Sequence, residues 1–367
     1  MRSSAALLLS LFVSLAISKE YSPLPADRVI AESPKADIPF DLQQLKQGWI
    51  ERIVAIKQAG VLPIIDIESS FNPGRLNART YAQAMDDNGI ALSAFSPQIG
   101  EKRYNKKGSL WHEASRRAIE VDPSRYIPAT TAGIYPAFTK QPDAFIEMSL
   151  RKVEQQGYPM LSEFEFRHYM SPRQFKRGQA YRDVAIEIDS AAAEKLFEFS
   201  QRTGISFQIH YEIEDQLLPP LEKMLARYPN ARVIWCHLGQ VRYSNRSTRY
   251  QADYVRHLIE HYPGIHFDLA FGNAESIYPG SGERQSRVWR PDGSADPAWV
   301  SLINDHPYRF LAALDIGGDR QDKLPQKANS LRRFLQYLSP QAREIVAYRA
   351  AWRLLFNEEI DIEWIKQ

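Results

Sequence analysis

The sequence predicts an α/β protein folded as a single (β/α)8 TIM barrel, and three observations carry the prediction. Eight short apolar runs recur along the chain, longer amphipathic stretches separate them, and five of the runs finish on a polar or ionisable residue. Short apolar runs alternating with helical stretches are the signature of repeated βα units and a parallel sheet. Eight such units favour a closed barrel over an open doubly wound sheet.

In order, the predicted strands are Leu62–Ile67, Ile90–Phe95, Tyr126–Thr130, Pro159–Phe166, Ile205–His210, Arg232–His237, Ile265–Ala270 and Arg309–Asp315. A helix over Asp41–Gln58 precedes them, with Leu42, Leu45, Ile50, Ile53, Val54 and Ile56 at near-helical spacing. Between strands, helices are expected over Ala191–Thr203, stopped by Gly204, and over Leu217–Tyr228, stopped by Pro229. Helices near Ser330–Leu338 and Pro340–Phe356 close the ring. The longest irregular segment, about Gly272 to Ala298, is rich in Gly, Pro, Ser and Arg. A loop of that length is functional or disordered, and in a barrel it sits over the mouth.

The chain has 367 residues, 44% hydrophobic and 25% charged, with a formal net charge of +2. That is enough chain to bury a large core without disulfides. The balance of charge offers no field for nucleic acid or an anionic membrane, so the expected partner is a small-molecule substrate. Arg2 followed by the apolar run Ala5–Ile17 and by Ala16-Ile17-Ser18 reads as a signal peptide cleaved after Ser18. The run is shorter than a membrane span needs, so no transmembrane segment is expected after cleavage. The chain therefore divides into a signal (1–18), an irregular lead-in (19–40) and the barrel (41–367), with a periplasmic or secreted location. Cys236 is the single cysteine, which excludes an internal disulfide, and its place between Trp235 and His237 suggests a packed strand residue.

The five polar strand ends are Glu68, Glu163 with Glu165, His210, His237 and Asp315. In a (β/α)8 barrel all C-terminal strand ends converge on one face, where catalytic groups sit. Carboxylates and imidazoles sharing a cavity shift each other's protonation, which suits metal binding or acid/base chemistry. Alternation lets Glu163 and Glu165 share a face with Phe164 opposite. No phosphate-binding Gly-x-x-x-x-Gly-Lys loop and no Gly-x-Ser-x-Gly elbow is present.

The segments Ile209–Tyr211, Pro229–Gly239, Phe310–Asp315 and Leu338–Phe356 resemble the amidohydrolase superfamily, in particular its amidohydrolase-related branch of decarboxylases and lactonases. The resemblance runs from about Leu62 to Phe356 and implies a barrel of the metal-dependent hydrolase type. It implies that a His-x-His pair on the first strand binds a divalent metal with His210 and Asp315, while His237 acts on the bound water or the substrate. Here Glu68-Ser69-Ser70 stands where that pair would be. A set of Glu68, Glu163 or Glu165, His210 and Asp315 is oxygen-rich, so it weakens zinc and better suits manganese, iron or magnesium.

Three chemistries stay open at this point. In one, a single divalent ion, zinc, manganese or iron, held by His210, Asp315, Glu68 and Glu165 activates water while His237 moves a proton. In the second, no metal binds, Asp315 is the general base, and His210, His237 and arginines stabilise the oxyanion. In the third, the barrel only binds a small ligand or a protein partner. The expected catalytic residues are Asp315, His237 and Glu163, and the expected reaction is hydrolysis of a small carboxylated lactone, ester or amide. Arg284 and Arg287 on the long loop, with Arg167 after the fourth strand, are candidate carboxylate clamps. Tyr211, Tyr243, Tyr278 and Trp289 are candidates for the apolar wall.

Overall fold

The computed structural model describes residues 20–26, 38–99 and 113–360. The predicted signal segment lies outside the described residues, as do residues 27–37 of the lead-in and 361–367 at the end. All eight predicted runs form strands: β1 (Ile64–Phe71), β2 (Ile90–Pro97), β3 (Tyr126–Pro128), β4 (Met160–Glu165), β5 (Ser206–His210), β6 (Val233–Trp235), β7 (Ile265–Asp268) and β8 (Phe310–Leu311). They pair in parallel as β1-β2-β3 and as β4 through β8 in sequence order.

Two seams join these sheets into a ring. Between β3 and β4, Gly133 N–H donates to Glu163 O (2.7 Å) and Glu165 N–H donates to Gly133 O (2.9 Å). Only glycine permits this approach, because a Cβ at position 133 would stand 2.6 Å from the Phe164 ring. Between β8 and β1, Ile67 N–H donates to Ala312 O (3.0 Å), Asp315 N–H to Glu68 O (2.9 Å) and Ser70 N–H to Ile316 O (2.8 Å).

That second seam explains why β8 is shorter than predicted. Beyond Leu311 three amides are taken by side chains of β1: Leu314 N–H by Asp66 Oδ1 (2.8 Å), Ile316 N–H by Ser69 Oγ (3.1 Å) and Gly318 N–H by Ser70 Oγ (3.2 Å). The segment Glu68-Ser69-Ser70 thus stitches the barrel shut. β1 and β2 are buried along their whole length, as expected where helices cover one face and the barrel interior fills the other. The interior is partly polar and internally bonded: Asp66 accepts from Ser69 Oγ (2.6 Å) and Ser93 Oγ (2.9 Å), and Gln208 Nε2 donates to Ile67 O (2.7 Å).

Helices follow the apolar periodicity. Leu42–Gln58 starts at Asp41, whose carboxylate accepts from Gln44 N–H (3.0 Å), and it buries Trp49, Ile53 and Ile56. Ala191–Thr203 ends at Gly204 as predicted. Leu218–Arg227 begins after a 3-10 turn, and Leu324–Leu335 starts earlier than the sequence suggested. Within Pro340–Phe356 a π-helical turn at Ile345–Arg349 lets Val346 O accept from Ala312 N–H (3.1 Å). Not predicted was the antiparallel ribbon of Arg167–His168 with Val184–Ala185, which carries the helix Pro172–Lys176 over the barrel mouth. No helix among the described residues is long and apolar enough to cross a membrane.

Candidate active site

The expected strand-end residues converge. Two cavities of about 340 and 350 Å³ open side by side on the C-terminal face and meet at Asp315, Arg320 and Arg242. The first has Glu163, Glu165, His168, His210 and His237 in its walls; the second is faced by Leu269, Phe271, Leu314 and Leu331. Both fourth-strand glutamates line the first cavity, as their alternation allows. His237 and Asp315 adopt left-handed backbone conformations, φ 63° and 48°. Apart from Asn357 they are the only non-glycine residues of the described chain to do so. Strain of this kind concentrates where a side chain must be aimed.

At the floor lies a cluster of one carboxylate and two imidazoles. Glu163 Oε1 is 3.0 Å from His210 Nδ1 and 3.4 Å from His237 Nε2, and the two imidazoles approach to 3.1 Å. His210 Nε2 faces Glu212 Oε1 at 3.5 Å. Burial works against the Glu163 charge, yet hydrogen bonds from His210 and His237 hold the carboxyl down at about 2. Burial likewise opposes an imidazolium at His210, and the carboxylates of Glu163 and Glu212 outweigh it, lifting the ring to about 9. His210 is therefore an imidazolium at neutral pH, clamped between two carboxylates.

Asp315 stands apart from this cluster. Its Oδ1 accepts from Arg320 Nη2 (3.1 Å) and its Oδ2 from Lys327 Nζ (3.0 Å). Against burial, Lys327 and then Arg320 hold its carboxyl well below the usual carboxylate range. Both oxygens of Asp315 are thus engaged by cations in this structure. Glu165 is engaged too: Arg182 forms an ion pair with it, and His168 Nε2 lies 3.7 Å away.

Of the metal-ligand set expected from sequence, Glu165, His210 and Asp315 are each engaged with charged partners. Among the described residues, two groups bring ligand atoms within 4.8 Å of one another: Glu163, His210 and His237, and Glu68, His237 and Asp268. The first group is satisfied by its own hydrogen bonds. In the second, Glu68 Oε2 and Asp268 Oδ2 are buried without a hydrogen-bond partner, so these two carboxylates could hold a cation, while His237 Nδ1 is bonded to Ala270 O (3.1 Å). Burial first, then the charges of Asp315, Glu163 and Asp268, push the Glu68 carboxyl well up.

None of the substrate contacts expected from sequence lines either cavity. Arg284 spends its guanidinium on the carbonyls of Ala274 (3.0 Å) and Arg290 (2.8 Å), and Arg287 bonds Ser247 O. Arg167 pairs with Asp183 (2.6 Å) and stacks on Tyr169, while the Tyr211 hydroxyl donates to Leu217 O (3.0 Å). These long side chains lie close enough to the chain to satisfy backbone carbonyls, which a sequence pattern does not reveal. Tyr243 and Trp289 also lie outside the cavity walls. Tyr278 sits beneath Arg242, whose guanidinium stacks 5.0 Å from its ring centre.

Arg242 is one cavity cation the sequence reading missed, beside Arg182, Arg320 and Lys327. It is 4% exposed, lines both cavities, and leaves Nε and Nη1 without a hydrogen-bond partner. Its nearest acid is Glu212, with Nε 3.6 Å from Oε1, the same oxygen that faces His210. The available signal was its place in the turn directly after β6, where a barrel loop enters the mouth.

No protein-family model matches the chain, and no curated protein does. Among solved structures it is similar to 2,6-dihydroxybenzoate decarboxylase from Rhizobium, with 13% identity, 80% of this chain and 99% of that chain covered, and a TM-score of 0.46. A dihydroxybenzoic acid decarboxylase from Polaromonas sp. JS666, solved with manganese and the inhibitor 2-nitroresorcinol, has 13% identity, coverage of 82% and 99%, and a TM-score of 0.49. 4-Oxalomesaconate hydratase from Rhodopseudomonas palustris has 14% identity, coverage of 80% and 95%, and a TM-score of 0.48.

Proposed function

We propose that the protein is a hydrolase of the amidohydrolase type that opens a lactone, ester or amide in a small molecule bearing a carboxylate. The single observation that carries this reading is Arg242. A buried guanidinium, with Glu212 its nearest acid, lines the cavity beside an imidazole–carboxylate cluster. Such a cation supports planar two-point binding of a carboxylate.

With the substrate carboxylate on Arg242, its scissile group lies over His210 and His237. The positive charge of His210, whose two ring nitrogens face Glu163 and Glu212, acts on the developing oxyanion through space and not through a hydrogen bond. His237 Nε2, the ring atom turned toward Glu163 and His210, exchanges the proton between attacking water and leaving oxygen. Glu163 orients both rings. Asp315, neutralised by Lys327 and Arg320, fixes the electrostatics of the mouth. Glu68 and Asp268, whose buried oxygens lack hydrogen-bond partners, would hold a divalent ion, which would supply positive charge near the reacting carbonyl. The apolar second cavity suits a hydrocarbon portion of the substrate.

The test is a screen of small carboxylated lactones, esters and amides, followed by variants. Arg242→Met should raise KM about 10- to 100-fold, the value of a charge-assisted bond, with kcat changed far less. His237→Ala should abolish turnover. Unaltered kinetics in both variants would refute the reading. The sequence-based location in the periplasm or outside the cell belongs to the same proposal, and N-terminal sequencing of the exported protein, beginning at Lys19, tests it.

A further inference from the structure

We infer that the chain carries a phosphate-binding site on the N-terminal face of the barrel, formed by Arg232, Arg309 and Arg353. It lies at the opposite end of the strands from the two cavities of the candidate active site.

A recess of about 410 Å³ opens where β6, β7 and β8 begin. Arg232 immediately precedes β6, Pro263 and Gly264 lead into β7, and Arg309 immediately precedes β8. Arg353 comes from the helix Ala350–Phe356, which packs across these strand starts. Three guanidiniums thus share one concavity, and no Asp or Glu is among the described residues that line it. Neutral acceptors hold two of them in place. Arg232 Nη1 donates to Leu354 O (2.9 Å) and Nη2 to Asn357 Oδ1 (3.3 Å), and Arg309 Nη1 donates to Pro263 O. Arg353 stacks 4.7 Å from the Tyr308 ring centre, and its Nη1 lies 3.3 Å from Glu359 Oε1. Glu359 is the one carboxylate paired with any of the three among the described residues, and it stands outside the recess wall.

A guanidinium has five N–H donors, and the bonds just given use two on Arg232 and one on Arg309. The donor set is therefore mostly left for a ligand. The charges ask for one as well. Burial first, then repulsion from Arg353, makes the Arg309 cation costlier to hold. Like charges gathered at a half-buried wall are unfavourable without a counter-ion, and an anion between them removes that cost. The shape of the set selects the anion. Each planar fork meets two oxygens at a time, and the forks arrive from three different elements. Phosphate presents oxygens in several directions and can be met by all three, whereas a planar carboxylate cannot. Pro229, Tyr308 and Leu354 complete the wall and leave room for an organic group on the phosphate.

The inference is independent of the hydrolase reading, because the experiment measures bound phosphate without substrate. The full chain is titrated by calorimetry with inorganic phosphate and with phenyl phosphate, at an ionic strength held constant with chloride so that screening does not change. One saturable site per chain, lost with the recess arginines, is expected. Arg309→Met and Arg353→Met should each weaken it at least about 10-fold, whereas Arg242→Met, at the opposite face, should stay within about threefold of wild type. Circular dichroism and melting temperature check that each variant folds, and the exposed Arg353 gives a second reading should Arg309→Met not fold. Tighter binding of phenyl phosphate identifies a phosphate ester as the ligand, and tighter binding of inorganic phosphate the free ion; either upholds the site. A wild-type chain with no saturable phosphate binding overturns the inference. So does a site that survives both Arg309→Met and Arg353→Met, or one that Arg242→Met removes.

Discussion

Asp86, far from the cavities, is the position where one substitution should cost the most stability. It is fully buried and receives three hydrogen bonds from two guanidiniums: Arg52 Nη2 at 2.5 Å, Arg125 Nη2 at 2.8 Å and Arg125 Nε at 3.3 Å. Both arginines are themselves 2% exposed or less. The remaining acid is Asp122, 3.0 Å from Arg125 Nη1. With Asp86 present the cluster holds two positive and two negative charges; Asp86→Asn leaves one positive charge uncompensated. Arg52 then keeps only neutral partners: Ala91 O (2.7 Å), Ile90 O (3.1 Å) and Ser22 Oγ (2.8 Å). Removing one partner of a buried ion pair costs about 3–5 kcal/mol, because the other charge stays desolvated. Asp86→Asn should therefore lower the unfolding free energy by about 3–5 kcal/mol in urea titrations followed by circular dichroism. The double variant Arg52→Met, Asp86→Asn should recover part of the loss, since it restores neutrality. A change below about 1 kcal/mol, or strict additivity of the two substitutions, would refute the argument.

Three more predictions follow from buried groups. Burial raises the Asp66 carboxyl from an ordinary value near 3.8 to about 7. The native state then binds a proton that the unfolded chain has released, so this group's stabilisation is complete below about pH 4 and lost as pH rises to about 7. Over that window it amounts to about 4 kcal/mol, and Asp66→Asn should flatten the pH dependence of the urea midpoint; equal slopes would contradict the sign or the size. Gly264→Ala should destabilise by about 1–3 kcal/mol or more, because a Cβ there would stand 1.9 Å from Ala231 O; an unchanged melting temperature would show that the backbone yields freely. Cys236 is buried, and burial pushes its thiol well up. Iodoacetamide at pH 8 should label it only after unfolding, and rapid labelling of native protein would disprove its inaccessibility.

The barrel and the elements that form it were legible in the sequence because their signals are local. The eight apolar runs each became a strand, and Asp41 and Gly204 marked helix ends through short-range bonding. The convergence of Glu163, His210 and His237 was legible as well, since parallel strands in a barrel present their C-terminal ends together. Partner choice was not. Whether Asp315 binds a metal, acts as a base or pairs with Lys327 depends on a helix packed beside it, and the structure gives it Lys327 and Arg320. Arg284, Arg287 and Arg167 looked free in sequence but find carbonyls and an acid folded against them. Arg242 and Asp268 drew no notice, and both carry buried polar atoms without hydrogen-bond partners. Local periodicity is written in the order of residues and fixes strands and helices. Charge compensation depends on distances of a few ångströms between residues tens or hundreds of positions apart, and only the closed barrel sets those.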